Sequence, residues 1–132
     1  MSNPKLAAIQ AKLQDSSREF QKLEGEMAGV VEARQRLDSQ LSENELVLKE
    51  FALLKAHNTV YKLIGPSLVP QEQGEAKANV EKRLEFIRAE IIRVENQLKE
   101  NEEKAAKKKN EIITLQQEFQ SLQPPSAAQV KA

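Results

Sequence analysis

The chain contains no cysteine, no tryptophan and a single histidine, His57. Without cysteine there is no disulfide framework, no thiolate metal site and no cysteine nucleophile. Without a second histidine, His57 has no partner for a metal or a proton relay, and its expected place is a helix end, where a cation suits the dipole. Glycines number four; Gly65 and Gly74 are not spaced as a phosphate-cradling loop. Ser16 and Ser17 have no base and no oxyanion loop beside them. The many glutamates sit on exposed helix faces, without the burial that tunes an acid–base pair. Neither sign of charge prevails: 20 basic and 20 acidic residues give a formal charge of zero. A global footprint for nucleic acid is therefore missing. The cluster Lys104, Lys107, Lys108 and Lys109 is offset by Glu100, Glu102, Glu103 and Glu111 and lacks interleaved aromatics, so it reads as a solvated helix face. No run approaches the ~20 apolar residues of a membrane span. The stretch Met1-Ser2-Asn3-Pro4-Lys5 is polar and lacks a signal-peptide core. The expectation is a soluble intracellular protein that is not an enzyme, with no catalytic residues, no cofactor, no metal, no nucleic acid and no membrane among its partners.

What the sequence has is heptads. Charged residues are 30% of the chain and aromatics 4%, the profile of a coiled coil. In the first run, a positions fall at Leu6, Leu13, Phe20, Met27, Arg34, Leu41 and Leu48. The d positions fall at Ile9, Ser16, Leu23, Val30, Leu37, Asn44 and Phe51. The second run places a at Leu84, Ile91, Leu98, Ala105, Ile112 and Phe119, and d at Val80, Ile87, Val94, Asn101, Lys108, Leu115 and Leu122. Such spacing lays an apolar seam along one face of each helix. Asn3-Pro4 opens the first helix, because Asn caps and Pro suits the first helical position. Asn58 is read as its C-terminal residue, and Pro124-Pro125 stop the second helix. The predicted domain spans residues 1–123: a helix over about 4–56, a β-hairpin over about 59–72 and a helix over about 75–122. Residues 124–132 are read as a disordered tail.

Two equal helices joined by a short link fold back antiparallel and set a against d. The complementary register places Leu41 against Ile87 and Leu48 against Val80. Arg34 then faces Val94, Lys108 faces Phe20 and Asn101 faces Met27. The long basic side chains can lay their stems on the seam and keep their charge in water. Glu32 with Arg36, Glu45 with Lys49, Glu95 with Lys99, Glu100 with Lys104 and Glu103 with Lys107 are spaced for ion pairs along the helix surface.

The middle block has strand chemistry. Thr59 to Ile64 is β-branched and aromatic, Gly65-Pro66 breaks it, and Ser67 to Gln71 resumes. A two-residue turn opposes Leu63 to Leu68 and Tyr61 to Pro70. Both faces of this hairpin are largely apolar. A lone two-stranded hairpin is marginal in water, and its open edges invite pairing. The inference is that Val60, Tyr61, Leu63, Ile64, Leu68 and Val69 join a larger sheet made with other chains. At the helix ends far from the hairpin in sequence, Leu6, Ile9, Leu13, Leu115, Phe119 and Leu122 cluster. Coil ends fray, and a non-directional apolar surface there can accept many unfolded chains. The plainer reading is ordinary seam in a structural scaffold or tether without client binding.

The block Val60-Tyr61-Lys62-Leu63-Ile64-Gly65-Pro66-Ser67-Leu68-Val69, followed by Glu75-Ala76-Lys77 and Lys82-Arg83-Leu84-Glu85-Phe86-Ile87, resembles the β-class prefoldins. Gln40-Leu41-Ser42-Glu43-Asn44 and Ala52-Leu53-Leu54 fit the same class. The resemblance covers about residues 5–122. The α class carries two hairpins, and this chain has room for one. Pro70 departs from the pattern, where a residue such as Lys is expected, and is expected to shorten the second strand. The resemblance implies a mainly α fold: a long antiparallel two-helix coiled coil with one β-hairpin at the bend that joins an intersubunit β-barrel. It implies a cytoplasmic hetero-hexamer of two α-class and four β-class subunits. That hexamer is an ATP-independent co-chaperone, holding unfolded actin and tubulin at the coil tips and passing them to the cytosolic chaperonin.

Overall fold

The computed structural model describes residues 3–123. The expected disordered tail, 124–132, lies outside the described residues. The order is α1 (Pro4–Leu53), β1 (Val60–Ile64), β2 (Ser67–Gln71) and α2 (Gln73–Leu122). The fold is thus mainly α, two long helices with one antiparallel hairpin between them in sequence.

The ends of α1 show which local signals prevailed. Asn3 Oδ1 accepts the Lys5 backbone N–H at 3.0 Å, and the Asn3 carbonyl accepts that of Ala7 at 3.1 Å. This is N-cap geometry. At the other end α1 stops at Leu53, short of the expected residue 56. Asn58 is not its terminal residue. Its Oδ1 accepts the Lys55 N–H at 2.7 Å, while its own N–H reaches the Lys55 carbonyl at 3.0 Å. The Asn side chain offers that N–H an alternative to the helix ladder, so residues 55–58 close a turn of their own. His57 lies exposed in this turn, beyond the helix, where the expected dipole role lapses. α2 begins two residues before the expected 75, because the Glu72 carbonyl already accepts the Ala76 N–H at 3.0 Å.

The chain divides into two compact units, residues 30–97 and the residues on either side of them. In the unit 30–97, α2 buries Ala76, Val80, Leu84, Ile87, Ile91 and Val94, and α1 buries Val30. All of these except Ala76 are predicted a or d positions. Leu84, 1% exposed, is the most enclosed; burying a leucine fully contributes about 1.5–3 kcal/mol. Leu37, Leu41, Leu48 and Phe51 of α1 are half-buried. Arg34 Nη2 lies 3.0 Å from Glu95, and Arg88 lies 3.5 Å from Glu45. Arg34 therefore reaches the residue after Val94, its predicted opposite. In the other unit Lys108 Nζ lies 2.6 Å from Glu19, the neighbour of its predicted opposite, Phe20. The buried residues there are small or polar: Ser16, Asn101 and Ala105.

Among the described residues, the five ion pairs predicted along the helix surface do not close. Glu45 and Glu95 turn across to Arg88 and Arg34 instead. An exposed pair gains little against side-chain entropy, so a partner beside the seam on the other helix competes well. The pairs made within one helix are Arg34 with Asp38, Glu90 with Arg93 and Lys108 with Glu111.

The hairpin has the predicted register, with Val60 opposite Gln71, Tyr61 opposite Pro70 and Leu63 opposite Leu68. Gly65 has φ +58°, a left-handed conformation that suits a residue without Cβ. Proline at the next position holds φ negative, so the turn belongs to the II′ class and not to I′. β2 runs through Pro70 to Gln71 and is not shortened. The reason is pairing parity. Antiparallel pairs alternate between bonded and non-bonded. Counting from the bonded pair Ile64–Ser67 at the turn, Tyr61–Pro70 is non-bonded. The missing N–H of Pro70 thus points away from β1 and leaves the internal ladder whole.

Candidate functional site

Two surfaces carry the predicted functional residues, one in each compact unit. The first is the hairpin. Its side chains are exposed on both faces: Leu63 68%, Leu68 65%, Tyr61 55% and Ile64 54%. Val69 is exposed as well, and Val60 is half-buried. Among the described residues the sheet has two strands, so both outer edges present unpaired backbone groups. The hairpin lies on a base set by Gln73, a residue that the sequence did not flag. Gln73, the first residue of α2, donates from Nε2 to the Lys55 carbonyl at 2.8 Å and to the Asn58 carbonyl at 2.6 Å. One amide thereby ties the exit of α1 to the start of α2 and fixes where β1 begins. No spacing rule marks such a contact, because the partners are 15 and 18 residues away. A groove runs along β1, lined by Val60, Tyr61, Lys62 and Leu63 together with Val47, Phe51, Val80 and Arg83 from the helices.

The second surface is formed by the early part of α1 and the late part of α2. Leu6, Ile9, Leu13, Leu115, Phe119 and Leu122 are all half-buried. None is enclosed in the way that Leu84 is. The fold brings Ile9 and Leu122 together in one shallow groove with Ala8 and Ser121, bordered by Lys5 and Lys12. Leu115 lines a neighbouring groove that shares Lys12. Leu13 falls in a third groove, lined with Gln10, Ser17 and Gln116. Leu6 and Phe119 line none of these three grooves, so the predicted cluster is a band of half-exposed apolar side chains of which the fold gathers only part into grooves.

Charge at this second surface is locally paired. The Glu111 carboxylate accepts a hydrogen bond from Lys108 at 2.9 Å. That bond holds the Glu111 carboxyl below its ordinary range and raises the Lys108 ammonium, which Glu19 raises further. In the unit 30–97, hydrogen bonds from Arg93 lower Glu90, and Asp38 and then Glu95 raise Arg34. None of these groups is desolvated enough to be tuned toward neutral pH. The arrangement holds helices in register and solvates their flanks.

Comparison with known proteins places this arrangement. Residues 8–119 match the family model described as prefoldin subunit. The chain is 45% identical over 119 residues to prefoldin subunit 6 of Bos taurus, covering 90% of this chain and 92% of that protein. It is 41% identical over 127 residues to prefoldin subunit 6 of Arabidopsis thaliana, covering 96% and 98%. Among solved structures, its fold is similar to the prefoldin beta subunit from Thermococcus strain KS-1. That match has a TM-score of 0.60 and 24% identity, over 95% of this chain and 100% of that one.

Proposed function

The chain belongs to the prefoldin subunit family, and from that premise we propose that it is a β-class arm of a cytoplasmic hetero-hexamer that holds unfolded proteins without nucleotide. The hairpin residues Val60, Tyr61, Leu63, Ile64, Leu68 and Val69 enter a barrel with strands of other α- and β-class subunits. The band from Leu6 to Leu13 and from Leu115 to Leu122 takes hold of the client. Actin and tubulin are the clients, and the cytosolic chaperonin receives them.

The observation that carries this reading is the half-burial of every large apolar side chain in that band. Such side chains keep apolar surface in contact with water that a client's own apolar residues can cover. The exposed hairpin supports the assembly half, since a two-stranded sheet with apolar residues on both faces is marginal unless other strands join it.

The test uses intact hexamer and denatured actin, with aggregation followed by light scattering in the absence of nucleotide. The variant Ile9→Ser with Phe119→Ser is compared with wild type and with a control outside the band, Leu37→Ser. The expected result is a partial loss of suppression in the first variant only. The loss is partial because other arms still bind and multivalent capture tolerates one weakened site. Suppression equal to wild type, with helicity retained, favours the alternative of a structural arm that does not touch clients.

A further inference from the structure

We propose that the hairpin selects its neighbours by an asymmetry between its two edges: β1 accepts a strand bearing a carboxylate, and β2 is closed by Pro70 to full-length pairing. This rests on the assembly reading above and names the chemistry of the partner.

The asymmetry follows from parity. On β1 the backbone groups of Tyr61 and Leu63 point outward, because their pairs with Pro70 and Leu68 are the non-bonded ones. Both residues offer a donor and an acceptor, so the β1 edge is a complete ladder. On β2 the outward residues are Leu68 and Pro70. Pro70 offers a carbonyl but no N–H, and its ring occupies the place where a neighbouring carbonyl would approach. An incoming strand can pair fully at Leu68 and not at Pro70. Proline on an edge is a recognised guard against unwanted pairing.

The β1 edge is also the one beside a groove. Val60 and Lys62 lie on one face of the strand and Tyr61 and Leu63 on the other, yet all four line that groove. Gln71, the last residue of β2 and the partner of Val60, closes one end of the groove, and the rest of its strand lining is β1 alone, from both faces, so it follows the β1 edge. Its helix side supplies Val47, Phe51 and Val80, which suit apolar side chains. The lining holds two cations, Lys62 and Arg83, and no carboxylate. Neither cation is in an ion pair among the described residues. The complement is an extended segment with apolar residues and at least one Asp or Glu placed opposite Lys62. A second copy of this chain is a poor occupant. In the antiparallel pairing that uses both Tyr61 and Leu63, Lys62 stands directly opposite the second copy's Lys62, and like charges directly opposite are destabilising. The occupant is therefore a strand of a different subunit with an acidic residue at the matching position.

The experiment uses the full-length chain and two fluorescently labelled five-residue peptides of alternating valine and threonine. One has a central glutamate and the other a central lysine. Binding is followed by anisotropy. The glutamate peptide is expected to bind on the order of tenfold more tightly than the lysine peptide, and Lys62→Glu is expected to invert the order. Arg83→Glu makes the same reversal from the helix side should Lys62→Glu lose helicity. Equal binding of the two peptides, binding of neither, or a preference that survives both substitutions overturns the β1 assignment. For β2, Pro70→Thr restores the donor, and the variant is expected to self-associate in sedimentation at concentrations where wild type does not. An unchanged mass for the folded variant overturns the Pro70 assignment. Neither assay contains a client, so failure here leaves the client-holding reading standing, and loss of that reading in the actin assay leaves these results intact.

Discussion

Leu84 is the best single probe of where this chain keeps its stability. It is 1% exposed and sits among the buried α2 residues Val80, Ile87 and Ile91. Replacing it with alanine removes three carbon atoms from a seam between helices whose backbone hydrogen bonds resist collapse into the gap. Buried leucine-to-alanine changes cost about 2–5 kcal/mol, with the upper part of the range where the site cannot relax. A site walled by two helices is expected near the middle, at about 3 kcal/mol. Alanine's better helix propensity returns only a few tenths of a kcal/mol, so it does not alter the sign. The matched comparison is Leu115→Ala, the same chemistry at a half-buried position. There the transfer term is roughly halved and the cavity is open to water, so the cost falls to about 1–1.5 kcal/mol. Urea unfolding of the isolated chain, followed by circular dichroism, measures both. The expected difference of nearly 2 kcal/mol far exceeds the error of the extrapolation difference between two related variants. Equal costs at the two positions would refute the reasoning, because they would mean that the burial contrast between the two units does not hold in solution.

Other expectations follow from particular residues. Asn101 is buried and its Nδ2 has no hydrogen-bond partner; Asn101→Leu removes that unsatisfied donor and is expected to raise stability by about 1–2 kcal/mol in the same urea assay. A loss of stability there would show that the amide finds a partner in solution. Glu111 has its folded carboxyl held below the ordinary range by Lys108, so its contribution is complete above the unfolded carboxylate pKa and is lost as pH falls through the folded value. The gap in melting temperature between wild type and Lys108→Met should therefore be present at neutral pH and close in acid; a gap that stays constant to pH 3 counts against the pair. The Lys108 side of the same pair is raised, so its contribution is lost only as pH climbs above the ordinary lysine range.

Much of this fold can be read from residue spacing, because a seam is a one-dimensional pattern. Every predicted a and d position from Leu6 to Phe51 and from Val80 to Leu122 is buried or half-buried. Hairpin register was equally readable, since Gly65-Pro66 admits a two-residue turn and the turn sets every pair that follows. What escaped depended on contacts between distant residues. Gln73 reaches back to the carbonyls of Lys55 and Asn58, and nothing in the glutamine's neighbourhood announces it. Glu45 and Glu95 were assigned partners four residues along their own helices, and their real partners lie across the seam. Asn58 reads as the C-terminal residue of the helix, whereas it closes the turn after it. The shortening expected at Pro70 rests on its departure from the family pattern, which does not say which way the proline nitrogen points; β2 runs on to Gln71.

The proposed client surface and the packing of the terminal unit draw on the same side chains, and this has a consequence for how the arm works. In the unit 30–97 the α2 side of the seam is enclosed, with Leu84, Ile87 and Val94 each nearly inaccessible, while Leu37, Leu41, Leu48 and Phe51 of α1 are half-buried. In the other unit the enclosed positions are Ser16, Asn101 and Ala105, and the large apolar residues around them remain half-exposed. Small and polar residues at enclosed positions contribute little burial energy, so the stabilising share falls to side chains such as Phe119 and Leu115 that water still reaches. Under the proposed function, a client that covers those side chains adds burial without first having to open the helix pair. It therefore gains affinity from area already exposed, and the helices keep the contacts that hold them together. A fully enclosed seam would force a client to compete with the partner helix for the same surface.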